Sequence, residues 1–150
     1  MKKACHDSEK GFENPMSRRA KSSACLETCK EASQEAQQCA AVCIKLGWRR
    51  KGRRLALLCL DTADACDATA KALMRGSSQE SSFCAFCATI AHRCAEDCDE
   101  YARQCRCKFS AEACRQCAKA CRRCAEACRA MAGEKHFLTI QATCYLEPIS

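Results

Sequence analysis

Closely spaced cysteine pairs are the residues of this sequence best suited to chemistry. The chain has 19 cysteines among 150 residues, and pairs such as Cys25/Cys29 and Cys39/Cys43 recur along it. In an α-helix, side chains four residues apart have Cβ atoms about 5–6 Å apart and project to the same side. Two such thiolates can hold one metal ion, because a sulfur–metal–sulfur unit spans about twice a metal–thiolate bond of roughly 2.3 Å.

Four long helices are predicted to position these thiols. The chain has only two prolines and five glycines, which favours helices with few interruptions. Asn14 followed by Pro15 is a good helix start, and Ser77 and Ser110 are predicted to cap the third and fourth helices. Glycines at 47, 76 and 133 end three of the four helices. The predicted helices cover about residues 15–46, 53–75, 78–107 and 110–132, between tails at 1–14 and 134–150.

Each predicted helix carries one stripe of cysteine and small residues with gaps of three and four, the spacing of a single helix face. Four amphipathic helices with short connections predict an all-α fold, an antiparallel four-helix bundle with a cysteine-lined core. The candidate metal ligands on these stripes are Cys25, Cys29, Cys39, Cys43, Cys59, Cys66, Cys84, Cys87, Cys94, Cys98, Cys105, Cys114, Cys117, Cys121, Cys124 and Cys128.

The chemistry of such a core favours a soft monovalent ion. Thiolates select Cu(I), and about one Cu(I) per thiolate would leave the buried core close to neutral, as burial requires. Zinc is the main alternative, because several cysteines, including Cys84 and Cys87, also have C-x2-C spacing. On a continuous helix that spacing follows from the stripe itself, and each Zn(Cys)4 unit would add two negative charges. A further alternative is a cysteine-rich redox-buffer or interaction protein. No combination of nucleophile, base and orienting residue indicates an enzyme.

The composition argues against other classes. An odd cysteine count does not suit a disulfide scaffold, and residues 1–16 contain no apolar segment typical of a secretory signal, so a reducing cytoplasmic location is predicted. No stretch reaches the roughly 20 apolar residues of a membrane span. The net charge of +7 mixes with acidic residues, and aromatic residues reach only 5%, so a solvated surface is expected and not a nucleic-acid site.

The density of cysteines on all four stripes resembles the bacterial copper storage proteins, specifically their cytosolic branch. The resemblance covers about Cys25 to Met131, most of the chain. It implies storage and detoxification of many Cu(I) ions along the bundle core, entry at one open end, and assembly as a homotetramer. A copper chaperone is a candidate partner for the basic segment 49–54, with a solvated loop as the alternative interpretation.

A few residues off the main stripes are additional candidates for metal binding. His92 lies at the edge of the third stripe, and Met74 and Met131 are predicted to share one end of the bundle. Cys107 is a further candidate, next to the predicted third helix end. Cys5 and Cys144 lie in the predicted tails and receive no role, while His6 and His136 are expected at the surface.

Overall fold

Four helices make up the part of the chain that the computed structural model describes, residues 13–46 and 50–133. These are α1 (Pro15–Leu46), α2 (Arg50–Met74), α3 (Glu80–Gln104) and α4 (Lys108–Ala132). Within these ranges there is no strand, and none of the four helices is long and apolar enough to cross a membrane. The predicted tail residues Cys5, His6, His136 and Cys144 lie outside the described residues.

The helices form a closed ring in which each packs against its neighbours in sequence and α1 also packs against α4. Their directions follow from the sulfur contacts. Cys25, early in α1, lies 3.5 Å from Cys128, late in α4, whereas Cys39, later in α1, lies 3.5 Å from Cys114, early in α4. The contacts between α2 and α3 run in the same opposed order. The predicted all-α, antiparallel four-helix bundle is therefore confirmed.

The start of α1 is where the Asn-Pro signal predicted it. Pro15 is the first helical residue, where its missing N–H costs no hydrogen bond. The Met16 N–H donates to Asn14 Oδ1 at 3.0 Å, so the Asn14 side chain satisfies a backbone donor that the helix itself leaves free.

Gly76 ends α2 through a left-handed backbone conformation with φ of +61°. The Gly76 N–H donates to the Leu73 carbonyl, and the Ser77 N–H donates to the Ala72 carbonyl. These two bonds form a Schellman motif, in which a residue without a Cβ adopts positive φ at little cost.

The start of α2 differs from the prediction. The helix begins at Arg50, not near residue 53, and Gly52 lies buried inside it instead of in the connection. A glycine inside a helix costs about 1 kcal/mol relative to alanine. Here the flanking Arg and Lys residues favour helix, and Gly52 packs in the interior, so the glycine does not break the helix.

The predicted cap of α3 was also wrong in position. The helix begins at Glu80 instead of near residue 78, because the Ser77 hydroxyl accepts the Gln79 N–H within the preceding turn. Gln79 occupies the N-cap position and makes no side-chain capping bond.

The connection between α3 and α4 lies earlier than predicted. α3 ends at Gln104 instead of near residue 107, and α4 begins at Lys108 instead of residue 110. Cys105 and Cys107 have extended backbone and form the turn, and Ser110 is buried within α4 instead of capping it. Extended backbone at Cys105 and Cys107 interrupts the helical pattern that the cysteine spacing alone would continue.

Small side chains fill the bundle interior. The fully buried residues are mainly cysteine and alanine, and the largest fully buried side chains are Thr62 and Thr69. Bulky apolar residues that are buried, Leu55, Leu73 and Met131, lie toward the ends of the helices. With so little side-chain volume between them, the helices bring their sulfur atoms into mutual contact.

Candidate metal centre

Fifteen of the sixteen cysteines predicted on inward stripes are completely buried, at 0% exposure, and all fifteen are free thiols. They come from all four helices. The sixteenth, Cys105, is half-buried in the turn after α3. The helical spacing therefore identified the interior face correctly wherever the helices continue.

Sulfur atoms from different helices lie close together around the bundle axis. The Cys29 Sγ is 3.7 Å from that of Cys124 and 3.8 Å from that of Cys128. Cys25 and Cys84, on helices that face each other across the bundle, have sulfurs 4.0 Å apart. Two thiolates that share one metal ion span about 4.6 Å, twice the metal–sulfur bond, so small side-chain rotations suffice to admit a metal.

Five groups of thiols each have all their sulfur atoms within 4.8 Å of one another. Two are tetrads, and three are triads. The tetrads are Cys29, Cys87, Cys124, Cys128 and Cys39, Cys59, Cys98, Cys117; the triads are Cys25, Cys84, Cys128, then Cys39, Cys43, Cys114, then Cys94, Cys117, Cys121. Shared members, such as Cys128, Cys39 and Cys117, allow one sulfur to serve two neighbouring sites.

The C-x3-C pairs account for a smaller share of the close sulfur contacts than their spacing suggested. Within one helix, the sulfurs of Cys94 and Cys98 are 4.0 Å apart, and Cys117/Cys121 and Cys124/Cys128 are each 3.9 Å apart. In α1, however, Cys25 and Cys29 both contact Cys128 of α4. Contacts between helices are thus at least as important as contacts along one helix, and sequence spacing alone cannot show them.

The charge environment of this core distinguishes between metals. Among residues 13–46 and 50–133, the buried polar side chains are Ser33, Thr62, Thr69 and Ser110, and no buried Lys, Arg or His accompanies the thiols. Uncompensated charge in an apolar interior is expensive. A monovalent ion matched about one to one with thiolates leaves the core near neutral, whereas a row of Zn(Cys)4 units would not.

Burial and mutual hydrogen bonding keep many of these thiols protonated. Hydrogen bonds with Cys114 and Cys117, together with burial, raise the pKa of Cys98. For Cys84, the hydrogen bond from Cys128 lowers the pKa, but the bond to Cys25 and burial outweigh it and raise the pKa to about 12. Most core thiols therefore need to lose a proton when a metal binds.

The surroundings of a few core cysteines stabilise the deprotonated, thiolate form of the side chain. Hydrogen bonds from Cys117 and then Cys121 lower the pKa of Cys94, and those from Cys124 and then Cys128 lower the pKa of Cys87. A sulfur surrounded by S–H donors is the easiest to deprotonate in its group. The first metal–sulfur bonds are expected at such positions.

The additional candidates lie at the edges of this core. His92 is half-exposed, and its Nε2 lies 3.2 Å from a carboxylate oxygen of Glu96 on the helix surface. Met74 is exposed at the end of α2, whereas Met131 is buried on α4. His92 belongs to none of the groups of close metal-ligating side chains within the described ranges.

Cys105 and Cys107 occupy the turn between α3 and α4. The Cys105 thiol packs against the core and donates to the Cys107 carbonyl at 3.6 Å. The nearby hydroxyl and backbone N–H of Ser110 lower the pKa of Cys107, which precedes the first residue of α4. These two thiols lie beside the core, at the end where α3 terminates.

Comparison with known proteins agrees with this geometry. The sequence matches the Csp family, described as copper storage protein, over residues 18–134. The chain belongs to the copper storage protein family. The predicted resemblance to this family is therefore confirmed. A search of curated proteins finds no match.

A solved structure supports the family assignment. The chain is similar to "Cu(I)-bound Copper Storage Protein BsCsp3", with a TM-score of 0.65 and 30% sequence identity. The similarity covers 75% of this chain and 99% of that chain. The four-helix bundle and its cysteine-rich core are thus features of a copper storage family member.

The raised thiol pKa values predict that the metal-free bundle loses stability in alkaline solution. A thiol whose pKa is raised in the folded state keeps its proton while the unfolded chain, with the ordinary value of 9.0, loses it. Stability is then complete below pH 9 and declines as the pH rises toward 12. We expect the Tm of reduced, metal-free protein to fall by several degrees between pH 8 and pH 10.

Thermal unfolding followed by circular dichroism checks this dependence. Cys84→Ala removes one thiol with a raised pKa, so its Tm should fall less steeply with pH than that of the unmodified protein. A Tm that is constant or rises between pH 8 and pH 10 would contradict the assigned pKa directions.

Proposed function

We propose that this bundle stores multiple Cu(I) ions as polynuclear thiolate clusters held by its fifteen buried cysteines. The observation that carries the proposal is the meeting of free thiols from four helices at sulfur separations of 3.5–4.0 Å, without a buried cation in the described ranges. Such sulfurs bridge soft monovalent ions and keep the filled core near neutral. The ligands proposed are the buried cysteines at positions 25, 29, 39, 43, 59, 66, 84, 87, 94, 98, 114, 117, 121, 124 and 128.

Metal uptake is coupled to proton loss. Because burial and neighbouring thiols raise the pKa of residues such as Cys98 and Cys84, each arriving Cu(I) displaces protons from its ligands. The metal then links sulfurs of different helices, so filling stiffens the bundle. Affinity consequently increases with pH, in the direction opposite to the stability of the metal-free protein.

Residues beside the core take secondary roles in this proposal. Cys105, half-buried against the core, is the sixteenth predicted ligand, and Cys107 lies two residues away in the same turn. Met131 and Met74 are proposed as soft sulfur ligands near the opposite end, and His92 as a ligand at the bundle wall. A copper chaperone is the proposed donor of the metal.

We propose a storage and detoxification role in the cytosol, and not catalysis. Fifteen free thiols with sulfurs as close as 3.5 Å would be prone to oxidation outside a reducing compartment. Metal bound deep in the bundle has every ligand buried, which suits storage better than turnover of a second substrate.

Assembly as a homotetramer is proposed from the outer faces of α2 and α3. A groove of about 670 Å³ between them is lined by apolar side chains, including Leu58, Phe86 and Ile90, among charged residues. Phe86 is 52% exposed, and Leu57 and Leu60 are also exposed on α2. Exposed apolar side chains of this kind favour association between copies.

The first prediction from this proposed function concerns how many Cu(I) ions each chain binds. Reduced metal-free protein, titrated anaerobically with Cu(I) against a competing chelator, should take up on the order of one ion per buried thiol, because each thiolate bridges two metals. Inductively coupled plasma mass spectrometry of the desalted protein counts the metal. Uptake of only a few ions per chain, or Zn²⁺ that Cu(I) fails to displace, would contradict Cu(I) storage.

The second prediction concerns one thiol pair. Cys117→Ser with Cys121→Ser removes sulfurs 3.9 Å apart that belong to two of the close groups. Capacity should fall by a few ions, while the circular dichroism spectrum of the metal-free protein stays helical, because serine is nearly isosteric. Cys5→Ser with Cys144→Ser, the same pair of changes at two thiols that receive no role, is the control and should leave capacity almost unchanged. Unfolding of the double variant would instead show that these thiols matter mainly for packing.

The third prediction concerns assembly. Phe86→Glu places a charge at the exposed apolar groove and should convert the tetramer to smaller species, as measured by sedimentation velocity. Copper per chain should remain the same, since Phe86 lies outside the core. Ser82→Glu, also exposed on α3, is the matched control. A variant that remains tetrameric would place the interface elsewhere.

A further inference from the structure

We infer that the fifteen buried thiols form two separate copper-binding clusters, one toward each end of the bundle, instead of one continuous array. The inference rests on the proposed function and specifies how the stored metal is divided. Cluster A lies toward the end where α1 and α3 begin, and cluster B toward the opposite end. Cluster A contains Cys25, Cys29, Cys66, Cys84, Cys87, Cys124 and Cys128; cluster B contains Cys39, Cys43, Cys59, Cys94, Cys98, Cys114, Cys117 and Cys121.

Cluster A is internally connected by sulfur contacts. Cys124 is the centre of the cluster, because its Sγ lies 3.7 Å from Cys29, 3.9 Å from Cys66, 3.8 Å from Cys87 and 3.9 Å from Cys128. Of the remaining two thiols, Cys25 lies 3.5 Å from Cys128, and Cys84 joins through its 4.0 Å contact with Cys25. Every helix contributes at least one sulfur.

Cluster B is connected in the same way. Cys59 lies 3.8 Å from Cys94 and 3.9 Å from Cys98, and it shares a tetrad with Cys39 and Cys117. The other three thiols join at the edges of this tetrad. Cys114 contacts Cys39 at 3.5 Å, Cys43 completes a triad with both, and Cys121 contacts Cys117 at 3.9 Å.

No close contact joins the two clusters within residues 13–46 and 50–133. Every pair of hydrogen-bonded thiols lies within one cluster, and none of the groups of three or four sulfurs inside 4.8 Å mixes members of the two. Cys121 and Cys124, three residues apart in sequence, are the closest cysteines along the chain that belong to different clusters. Their sulfurs turn to opposite partners, Cys121 toward Cys94 and Cys117, and Cys124 toward cluster A.

On three of the four helices, a layer of residues that cannot bind metal lies between the two clusters. On α1, Ala32 and Ala36 occupy the stripe positions between Cys29 and Cys39, and both are fully buried. Thr62 fills the corresponding place on α2, where its hydroxyl donates to its own helix at the Leu58 carbonyl, 2.7 Å away. Ala91 fills the corresponding place on α3. Methyl groups and a hydroxyl already bonded to backbone provide no site for Cu(I).

The two clusters should therefore fill and empty independently. Copper bound in one shares no sulfur with copper bound in the other, and each cluster lies nearer its own end of the bundle. Removing ligands from one cluster should leave the affinity of the other unchanged, because changes at sites without shared partners are nearly additive.

Tryptic peptides of this sequence make the clusters separately measurable. Cleavage after Lys30, Arg93 and Arg122 or Arg123 falls between the two clusters on α1, α3 and α4. Protein equilibrated with Cu(I) at a series of chelator-buffered concentrations is alkylated while folded with a small thiol reagent, so that copper-bound cysteines stay unmodified, and is then denatured and digested. Mass spectrometry then gives a protection curve for each peptide. Only the peptide covering residues 55–71 carries cysteines of both clusters, Cys59 and Cys66. This peptide is therefore left out of the comparison.

Paired variants test independence in both directions. Cys29→Ser with Cys87→Ser should weaken protection of the remaining thiols of cluster A while the midpoints of cluster B peptides move by less than about twofold. Cys59→Ser with Cys98→Ser should do the reverse. A comparable shift in both clusters from either variant would overturn the inference.

A variant of the separating layer provides a second test. Ala32→Cys with Ala36→Cys adds sulfurs between the clusters, and Cys29→Ser with Cys87→Ser should then shift cluster B as well. Ala32→Ser with Ala36→Ser is the control of similar size without thiols, and it should keep the clusters independent. Clusters that remain independent with the added thiols would show that this layer does not separate them.

The outcomes distinguish this inference from the proposed function. Normal total uptake with coupled protection curves contradicts the two-cluster arrangement alone. Failure of the unmodified protein to take up copper contradicts storage itself, before any question of clusters arises.

Discussion

Contact between sulfur atoms along the bundle axis is the constraint on which the rest of this structure depends. Even helices that face each other diagonally touch, since the Cys25 and Cys84 sulfurs lie 4.0 Å apart. Such contact requires a narrow interior, so most inward positions are small residues, namely cysteine, alanine, threonine or serine. Larger side chains such as Leu55 and Leu73 are buried only toward the ends. The same narrowness that brings the thiols together also excludes the residues that usually stabilise a bundle.

A core of this kind gains little from burial alone. A cysteine behaves as a small hydrophobe, so it removes less apolar surface from water than a leucine would. Metal binding replaces part of the missing stabilisation, because an ion that binds only the folded state shifts the folding equilibrium toward that state. Because the thiols lie within a small rotation of metal-bridging distances, the helices need little rearrangement to form the metal sites.

The sequence predicted the bundle and its interior face well because both depend on local chemistry. Asn14 and Pro15 start α1, Gly76 closes α2 through positive φ, and helical periodicity places fifteen thiols inside. It failed where packing overrides local preference. Gly52 is helical because it is buried, and Ser110 is interior because the turn uses Cys105 and Cys107.

The grouping of the thiols could not be read from spacing either. Cys25 and Cys29 have the spacing of a pair along one helix, yet both contact Cys128 of α4. Which sulfurs meet depends on the rotation and height of neighbouring helices, and a single helix pattern does not contain that information. The interruption at Ala32 and Ala36 is visible in the sequence, but its meaning depends on Thr62 and Ala91 lying beside it.

The proposed division of the core gives α2 a special position. α1, α3 and α4 each supply at least two sulfurs to both clusters, whereas α2 supplies one to each, Cys66 and Cys59. Its other inward polar residues, Thr62 and Thr69, hydrogen-bond to backbone carbonyls instead. With the proposed ligands, copper would cross-link three helices at several points and α2 at only two. The attachment of α2 must rely more on apolar packing, and it is on this helix that Leu55 and Leu73 are buried.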